Sequence, residues 1–355
     1  MKLSTSDAIG GSVGSRIRLW GKRIALGLLA LLLAITLLGA GYEALSRYQA
    51  TTGYPPRGKL VEIGDGRRIH LDCRGRGAPT VVFESGFDNF GSLSWTRVHD
   101  AVARDTRACA YDRAGIMWSD PKNAPQDGKA IAKDLHTALS VAGERAPFVL
   151  VGHSFGGPLS VIHVGQYPDQ IAGLVLVDPG HPNQIAQIER YPGMKAANKS
   201  GHAMRKLVSW LAWTGLIRLL SPDEGPANMP EPIFRRTNAF LPTSLSGMQA
   251  EDDAVGQTLA EAAASHDLGD RPLIVLSAEK FLTRQMISQI GWSDAIGARF
   301  NADWRRFHEE EASWSIRGQH RIATNTSHFI QLDRPDAVIV AIRDVVAMVR
   351  DTAKE

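Results

Sequence analysis

FVLVGHSFGG, Phe148 to Gly157, is the stretch on which the reading of this chain turns. The apolar residues Phe148 to Val151 have the composition of a short buried strand, and Pro158–Tyr167 keeps the apolar spacing of a helix. Between them Gly152-His153-Ser154-Phe155-Gly156 follows the pattern G-x-S-x-G. In a strand–turn–helix setting, glycines on both flanks let the backbone pass close and leave Ser154 at the strand's end, before the helix. A serine hydroxyl is a poor nucleophile near neutral pH, so this position calls for a base to take its proton and for donors to hold the resulting oxyanion.

Working outward, the chain from Lys59 alternates short β-rich runs with helical stretches, which predicts an α/β sheet. Eight strands are expected: Leu60–Ile63, Arg68–Asp72, Thr80–Glu84, Thr106–Tyr111, Phe148–Val151, Gly173–Val177, Pro272–Ser277 and His320–Ala323. Gly128–Val141 and Ala337–Val349 have amphipathic helical spacing. The interval from about His181 to Asp270 is too long for an ordinary crossover and reads as an inserted lid, with a helix expected over Met204–Leu220. Met204, Trp210 and Trp213 in it are read as packing residues, with a pocket lining as the alternative. Phe281–Gly318, with Trp292, Trp304 and Trp314, is expected to form helices and loops before the last strand.

The 355 residues are 44% apolar and 22% charged, enough for a large core and inconsistent with a disordered tail. The net charge of +3 is concentrated at the start, where residues 1–23 hold Lys2, Arg16, Arg18, Lys22 and Arg23 against Asp7. The remainder is nearly neutral and carries no electrostatic footprint for nucleic acid. The basic residues precede an uncharged run, Ile24–Tyr42, which as a helix would span about 28 Å, enough to cross a bilayer. Positive charge on its N-terminal side places that end in the cytoplasm and the rest beyond the membrane. A cleaved secretory signal is the rival reading, with Gly39, Ala40 and Gly41 as a weak cleavage site.

With the serine motif, three further segments resemble the α/β-hydrolase superfamily in their order: ESGF at Glu84–Phe87, YDRAG at Tyr111–Gly115 and SHFIQLDRP at Ser327–Pro335. The resemblance covers roughly Lys59 to Val349. It implies an eight-stranded, mostly parallel sheet flanked by helices, with a helical lid insertion. The expected division is 1–23 a basic cytoplasmic segment, 24–45 a transmembrane helix, 59–180 and 271–355 the hydrolase core, and 181–270 the lid.

The resemblance also implies roles. His328, after the last strand, is the expected base, in the order Ser…Asp/Glu…His used by this fold. Of the competing histidines, His153 is expected to point elsewhere on the turn, His320 begins a strand, and His181 and His266 flank the lid. The acid usually follows the seventh strand, but PLIVLSAEKF puts Phe281 at that place, and an apolar side chain cannot orient an imidazole. The other position known in the family follows the sixth strand, where LVLVDP has Asp178; Glu279 and Asp294 remain alternatives. The oxyanion donors are expected to be the backbone N–H groups of Phe87 and Phe155, with Ser85 where many relatives carry His. Asp112 and Arg113 are read as a structural pair supporting the loop. In the family's sheet order the second and fourth strands are antiparallel neighbours, so Cys73 and Cys109 fall at one edge, either bridged or as two thiols.

The function implied is hydrolysis of a small-molecule carboxylic ester, or an amide, through an acyl-enzyme on Ser154, by a membrane-attached enzyme working outside the cytoplasm. A proline iminopeptidase-like aminopeptidase and a non-catalytic ligand-binding relative are the alternatives. Epoxide hydrolases and dehalogenases of this fold use an aspartate nucleophile, where this chain has Ser154. No metal or organic cofactor is called for, and two cysteines cannot make a cysteine-based zinc site.

Overall fold

The apolar runs alternate in the side chains they send to each side of one sheet. Val81 and Phe83, Val149 and Val151, Val175 and Val177 pack on one face, while Val82, Leu150, Leu174 and Leu176 pack on the other. Being buried on both faces, such strands need no polar positions, which is why they read as continuous apolar runs. The computed structural model describes residues 7–354 other than 223, 226 and 227, with side chains from residue 17 onward. Residues 1–6 of the expected cytoplasmic segment, Lys2 among them, lie outside the described residues, as do those three positions of the expected insertion.

The sheet comprises β1 (Lys59–Glu62), β2 (Arg68–Arg74), β3 (Thr80–Glu84), β4 (Ala108–Tyr111), β5 (Phe148–His153), β6 (Ile171–Val177), β7 (Leu273–Ala278) and β8 (Gly318–Ala323). Their spatial order is β1-β2-β4-β3-β5-β6-β7-β8. β1 and β2 are antiparallel, as are β2 and β4, and every other neighbouring pair is parallel. All eight expected strands are present, with ends shifted by up to two residues. β5, for example, runs on to His153 because pairing with β6 continues to His153 opposite Val177.

The longer helices are α1 (Asp7–Gly53), α2 (Gly128–Val141), α3 (Gly156–Gln166), α4 (Met194–Leu211), α5 (Glu231–Asp253), α6 (Asp294–Ala312) and α7 (Pro335–Thr352). The single helix expected over Met204–Leu220 is broken: α4 begins ten residues earlier and ends at Leu211. A 3₁₀ turn, Ala212–Thr214, and a short helix, Leu216–Leu220, follow it. Gly215, with φ of 78°, makes the break. α1 likewise runs beyond the expected 24–45. Past Tyr42 it keeps helix-compatible residues, an i,i+4 ion pair between Glu43 and Arg47, and no breaker before Gly53 and the Pro55-Pro56 pair. Its long apolar section is exposed and is long enough to cross a membrane.

Cys73 and Cys109 face each other across β2 and β4 and form a disulfide, so the two-thiol alternative does not hold. The bridge closes a separation of 36 residues. By the chain-entropy account its loss is worth about 2–4 kcal/mol. A Cys73→Ser/Cys109→Ser variant is therefore expected to unfold at lower denaturant, with a steeper denaturant slope because the unfolded chain without the cross-link exposes more surface. Mass analysis of unreduced, denatured wild-type protein is expected to find no alkylatable thiol.

Candidate active site

The carboxyl ends of β3, β5, β6, β7 and β8 meet along one edge of the sheet, where open α/β folds place their ligand sites. Ser154 follows directly from β5 with φ of 52°, the left-handed region that a non-glycine residue enters at a cost of about 1–3 kcal/mol. The turn is held from several sides. Ser154 N–H donates to Val177 O (3.1 Å), and Ser154 O accepts from Gly157 N and Gly180 N (2.9 Å each). Gly156 sits against the end of β3, where an added Cβ would lie 2.4 Å from Glu84 O, so a side chain there would push the serine turn off the sheet.

Asp178 leaves β6 in the same way, with φ of 43°, and is buried. Its Oδ2 accepts from His328 Nδ1 at 2.6 Å, and its Oδ1 accepts from the backbone N–H of Ala278 at 2.7 Å. Burial pushes the Asp178 carboxyl up, but the hydrogen bond and charge of His328, the charge of His308 and the Ala278 N–H outweigh it and hold the group below its ordinary value. The acceptor fixes the proton of His328 on Nδ1 and leaves Nε2 as the free basic nitrogen. Phe281 packs edge-on against the His328 ring, 4.8 Å between centroids. Glu279 instead accepts from the N–H of Asn325 at 2.9 Å, and Asp294 is exposed in the first turn of α6. Neither carboxylate is hydrogen-bonded to His328 among the described residues.

His153 does not point away from the site as expected. Its ring lies 4.7 Å from that of His328, and its Nε2–H donates to His328 O at 3.0 Å, so the residue before the serine carries the loop of the expected base. Burial, with the adjacent His328, drives its pKa down to about 3, and it stays neutral. His308 was not singled out from the sequence, where nothing distinguishes it within a polar helical stretch. It lies behind Asp178, its Nδ1 3.8 Å from Oδ1, donating from Nε2 to Pro179 O (3.1 Å) and joined to Ser277 Oγ (2.6 Å).

The loop after β3 carries Phe87. The N–H groups of Phe87 and Phe155 have no acceptor among the described residues, and their rings meet edge to face at 6.1 Å. Asp112 and Arg113 do not pair with each other. Asp112 accepts from His70 Nδ1 (2.7 Å) and Ser92 N–H (2.7 Å), whereas the fully buried Arg113 donates to Glu84, to Glu251 on α5, and to the carbonyls of Ser85 and Gly86 (2.7 Å each). Two neighbouring carbonyls held this way orient the peptide unit that ends in Phe87 N–H. Ser85 Oγ also accepts from Arg113, at 3.1 Å. Glu251 was missed because its partner lies 138 residues away.

Met204, Trp210 and Trp213 are neither packed nor pocket-lining: Trp210 is 66% exposed, and all three face outward.

The model of the alpha/beta hydrolase fold family matches residues 79–214, which include the serine turn and Asp178. With the sheet order above, this places the chain. It has the α/β-hydrolase fold. Among curated relatives, YqjL of Bacillus subtilis, an uncharacterized protein, is 25% identical over 79% of this chain and 89% of its own. A probable transporter, EfuK of Hormonema carpetanum, is 35% identical over 34% of this chain, which spans 18% of that protein. A thermophilic esterase from Thermogutta terrifontis superposes with a TM-score of 0.58 over 82% of this chain and 98% of its own, at 22% identity, a likeness of fold.

Two stability predictions follow from these buried groups. Burial lowers His153 and His163 to about 3 and His308 to about 4, so the unfolded chain takes up their protons first as pH falls below about 6.5. Their contribution is complete above 6.5 and is lost toward the folded values, at about 1.4 kcal/mol per group per pH unit. Asp88, pushed up to about 6 by burial, offsets one of the three between about pH 6 and 4. Glu84 and Glu311, also pushed up by burial, act in the same direction as Asp88, so the histidine share is read by difference: a His163→Gln variant of the full-length protein in detergent is expected to show a smaller fall in thermal midpoint from pH 7 to 5 than wild type. Arg113→Met would leave Glu84 and Glu251 buried without their partner and is expected to destabilise by about 3–5 kcal/mol in denaturant titration.

Proposed function

We propose that the protein is a serine hydrolase that cleaves a carboxylic ester through an acyl-enzyme on Ser154. The observation that carries this reading is the buried Asp178–His328 hydrogen bond beside a serine on a strained strand-to-helix turn, with two backbone N–H groups unclaimed near it. Ser154 Oγ attacks the substrate carbonyl while His328 Nε2 takes its proton. Asp178 keeps the imidazole in the required tautomer and stabilises the imidazolium without taking the proton itself. The N–H groups of Phe87 and Phe155 receive the oxyanion, the alcohol leaves with the proton from His328, and water activated by His328 releases the acid.

Amide cleavage, as in a proline iminopeptidase-like enzyme, would use the same residues with an amine leaving group. Nothing in the site requires a metal or an organic cofactor for these steps. In this reading α1 is an uncleaved signal anchor, with the basic end in the cytoplasm and the hydrolase domain on the extracytoplasmic side. The disulfide suits that side, and the small residues of the weak cleavage site lie in the part of α1 that packs against the domain. Residues 181–270 form the lid over the site.

A fluorophosphonate probe is expected to label wild-type protein on Ser154 and to leave Ser154→Ala unlabelled. An unlabelled, folded wild type would mean a ligand-binding relative without catalysis. Asp178→Asn is expected to lose roughly 10³–10⁴ in kcat on a p-nitrophenyl ester with little change in KM. Full turnover in that variant would remove Asp178 from the mechanism. Aminoacyl amides run beside esters of increasing acyl length divide the two substrate classes, with esters expected to turn over faster.

A further inference from the structure

The segment between β6 and β7 leaves an apolar face uncovered. Met204, Leu207 and Trp210 on α4, Trp213 on the 3₁₀ turn and Leu219 and Leu220 on the short helix after it are all exposed, Leu220 by 72%. Soluble surfaces seldom gather two tryptophans and four aliphatic side chains in one uncovered run, and such patches mark contact sites.

Its position says what covers it. The 3₁₀ turn packs on α1 at Gly39, where an added Cβ would meet Thr214 O at 2.1 Å, and a Cβ added at Gly215 would meet Gly39 O at 2.6 Å and the Tyr42 ring at 3.2 Å. Gly39 and Tyr42 are the last turn of the uncharged run. One residue further, buried Glu43 is clamped by Arg218 through two hydrogen bonds, Nε–Oε2 at 2.8 Å and Nη2–Oε1 at 3.1 Å. The apolar face is therefore held beside the end of the run, within about one helical turn of the first charged residue. α4 also carries exposed Lys195, Lys199 and Lys206. Tryptophan with aliphatic residues on one side and lysines beside them is the composition of a helix lying in a membrane interface.

We infer that this face of α4, the 3₁₀ turn and the helix after it is embedded in the outer interface of the phospholipid bilayer, its lysines meeting anionic headgroups. The inference rests on the reading of α1 as a membrane span. The protein then touches the membrane at two places, through α1 and through the inserted segment. The second contact is wired to the site: His202 and Arg205 of α4 hold Asp252 at 2.8 Å, and the adjacent Glu251 holds Arg113, which holds the oxyanion loop.

The test uses full-length protein in nanodiscs of phosphatidylcholine and phosphatidylglycerol, with one added cysteine carrying an environment-sensitive fluorophore. The native cysteines are bridged, so the added thiol is the reactive one. Four variants are compared: Leu31→Cys in the apolar run, Leu207→Cys and Leu220→Cys on the proposed face, and Ile316→Cys just before β8, at the opposite edge of the sheet. The expected result is blue-shifted emission, lost on adding doxyl-labelled lipid, at Leu31, Leu207 and Leu220, with water-like, unquenched emission at Ile316. Quenching at Leu31 with water-like emission at Leu207 and Leu220 overturns the inference and leaves the span reading standing. Water-like emission at Leu31 overturns the span reading itself and the inference with it. Blue-shifted emission at Leu207 and Leu220 that doxyl lipid leaves unchanged means a protein, such as a second copy of the chain, covers the face, and also overturns the inference.

Discussion

The last rung between β5 and β6, His153 opposite Val177, sets the geometry of the rest. The two strands run parallel and end together, and each then enters left-handed backbone at its next residue, Ser154 and Asp178. Because Ser154 N–H is bonded to Val177 O, the pairing of the strands extends into the turn. A slip of one strand by one residue in this register would turn its side chain to the other face of the sheet and part it from its neighbour. The strain at the two positions is tolerated only because a buried sheet on both faces over-determines it. The helix α3 that follows the serine turn closes the arrangement, with Gly157 set against Pro179 so that the two turns pack as one unit.

A second constraint is the charge buried at Arg113. A guanidinium out of water is costly unless its donors are met, and here Glu84, Glu251, Tyr111 and two backbone carbonyls share one network. Burial pulls the Arg113 pKa down, but the charges of Glu251 and Glu84 more than reverse it, and the group remains a cation. The network joins four parts of the chain: the end of β3, the loop after it, the loop after β4, and α5. It makes α5 a support of the loop that carries Phe87.

At the other end of those helices the same segment meets α1. The Glu43–Arg218 pair and the close approach at Gly39 attach it to the helix that is long and apolar enough to cross a membrane. Packed small residues allow that approach, and a buried carboxylate with two guanidinium bonds fixes its height. One continuous set of contacts thus runs from α1, through α4 and α5, to the carbonyls beside Phe87.

By itself the sequence determined what local pattern controls. The eight strands follow from apolar runs bounded by turn residues, the serine turn from glycines at fixed offsets, and the apolar helix from its uncharged length. Motif order pointed to Ser154 and His328, and the apolar Phe281 turned attention to Asp178. Tertiary structure alone decided what depends on groups distant in the chain: that Asp178 rather than Glu279 or Asp294 meets His328, that Cys73 faces Cys109, and that Arg113 reaches Glu251 instead of Asp112. It also reversed the reading of Met204, Trp210 and Trp213, because helical spacing tells which residues share a face and not whether anything lies against it. Periodicity is a property of neighbours along the chain, whereas a partner 100 or more residues away is chosen by the closure of the sheet and leaves no trace in local spacing.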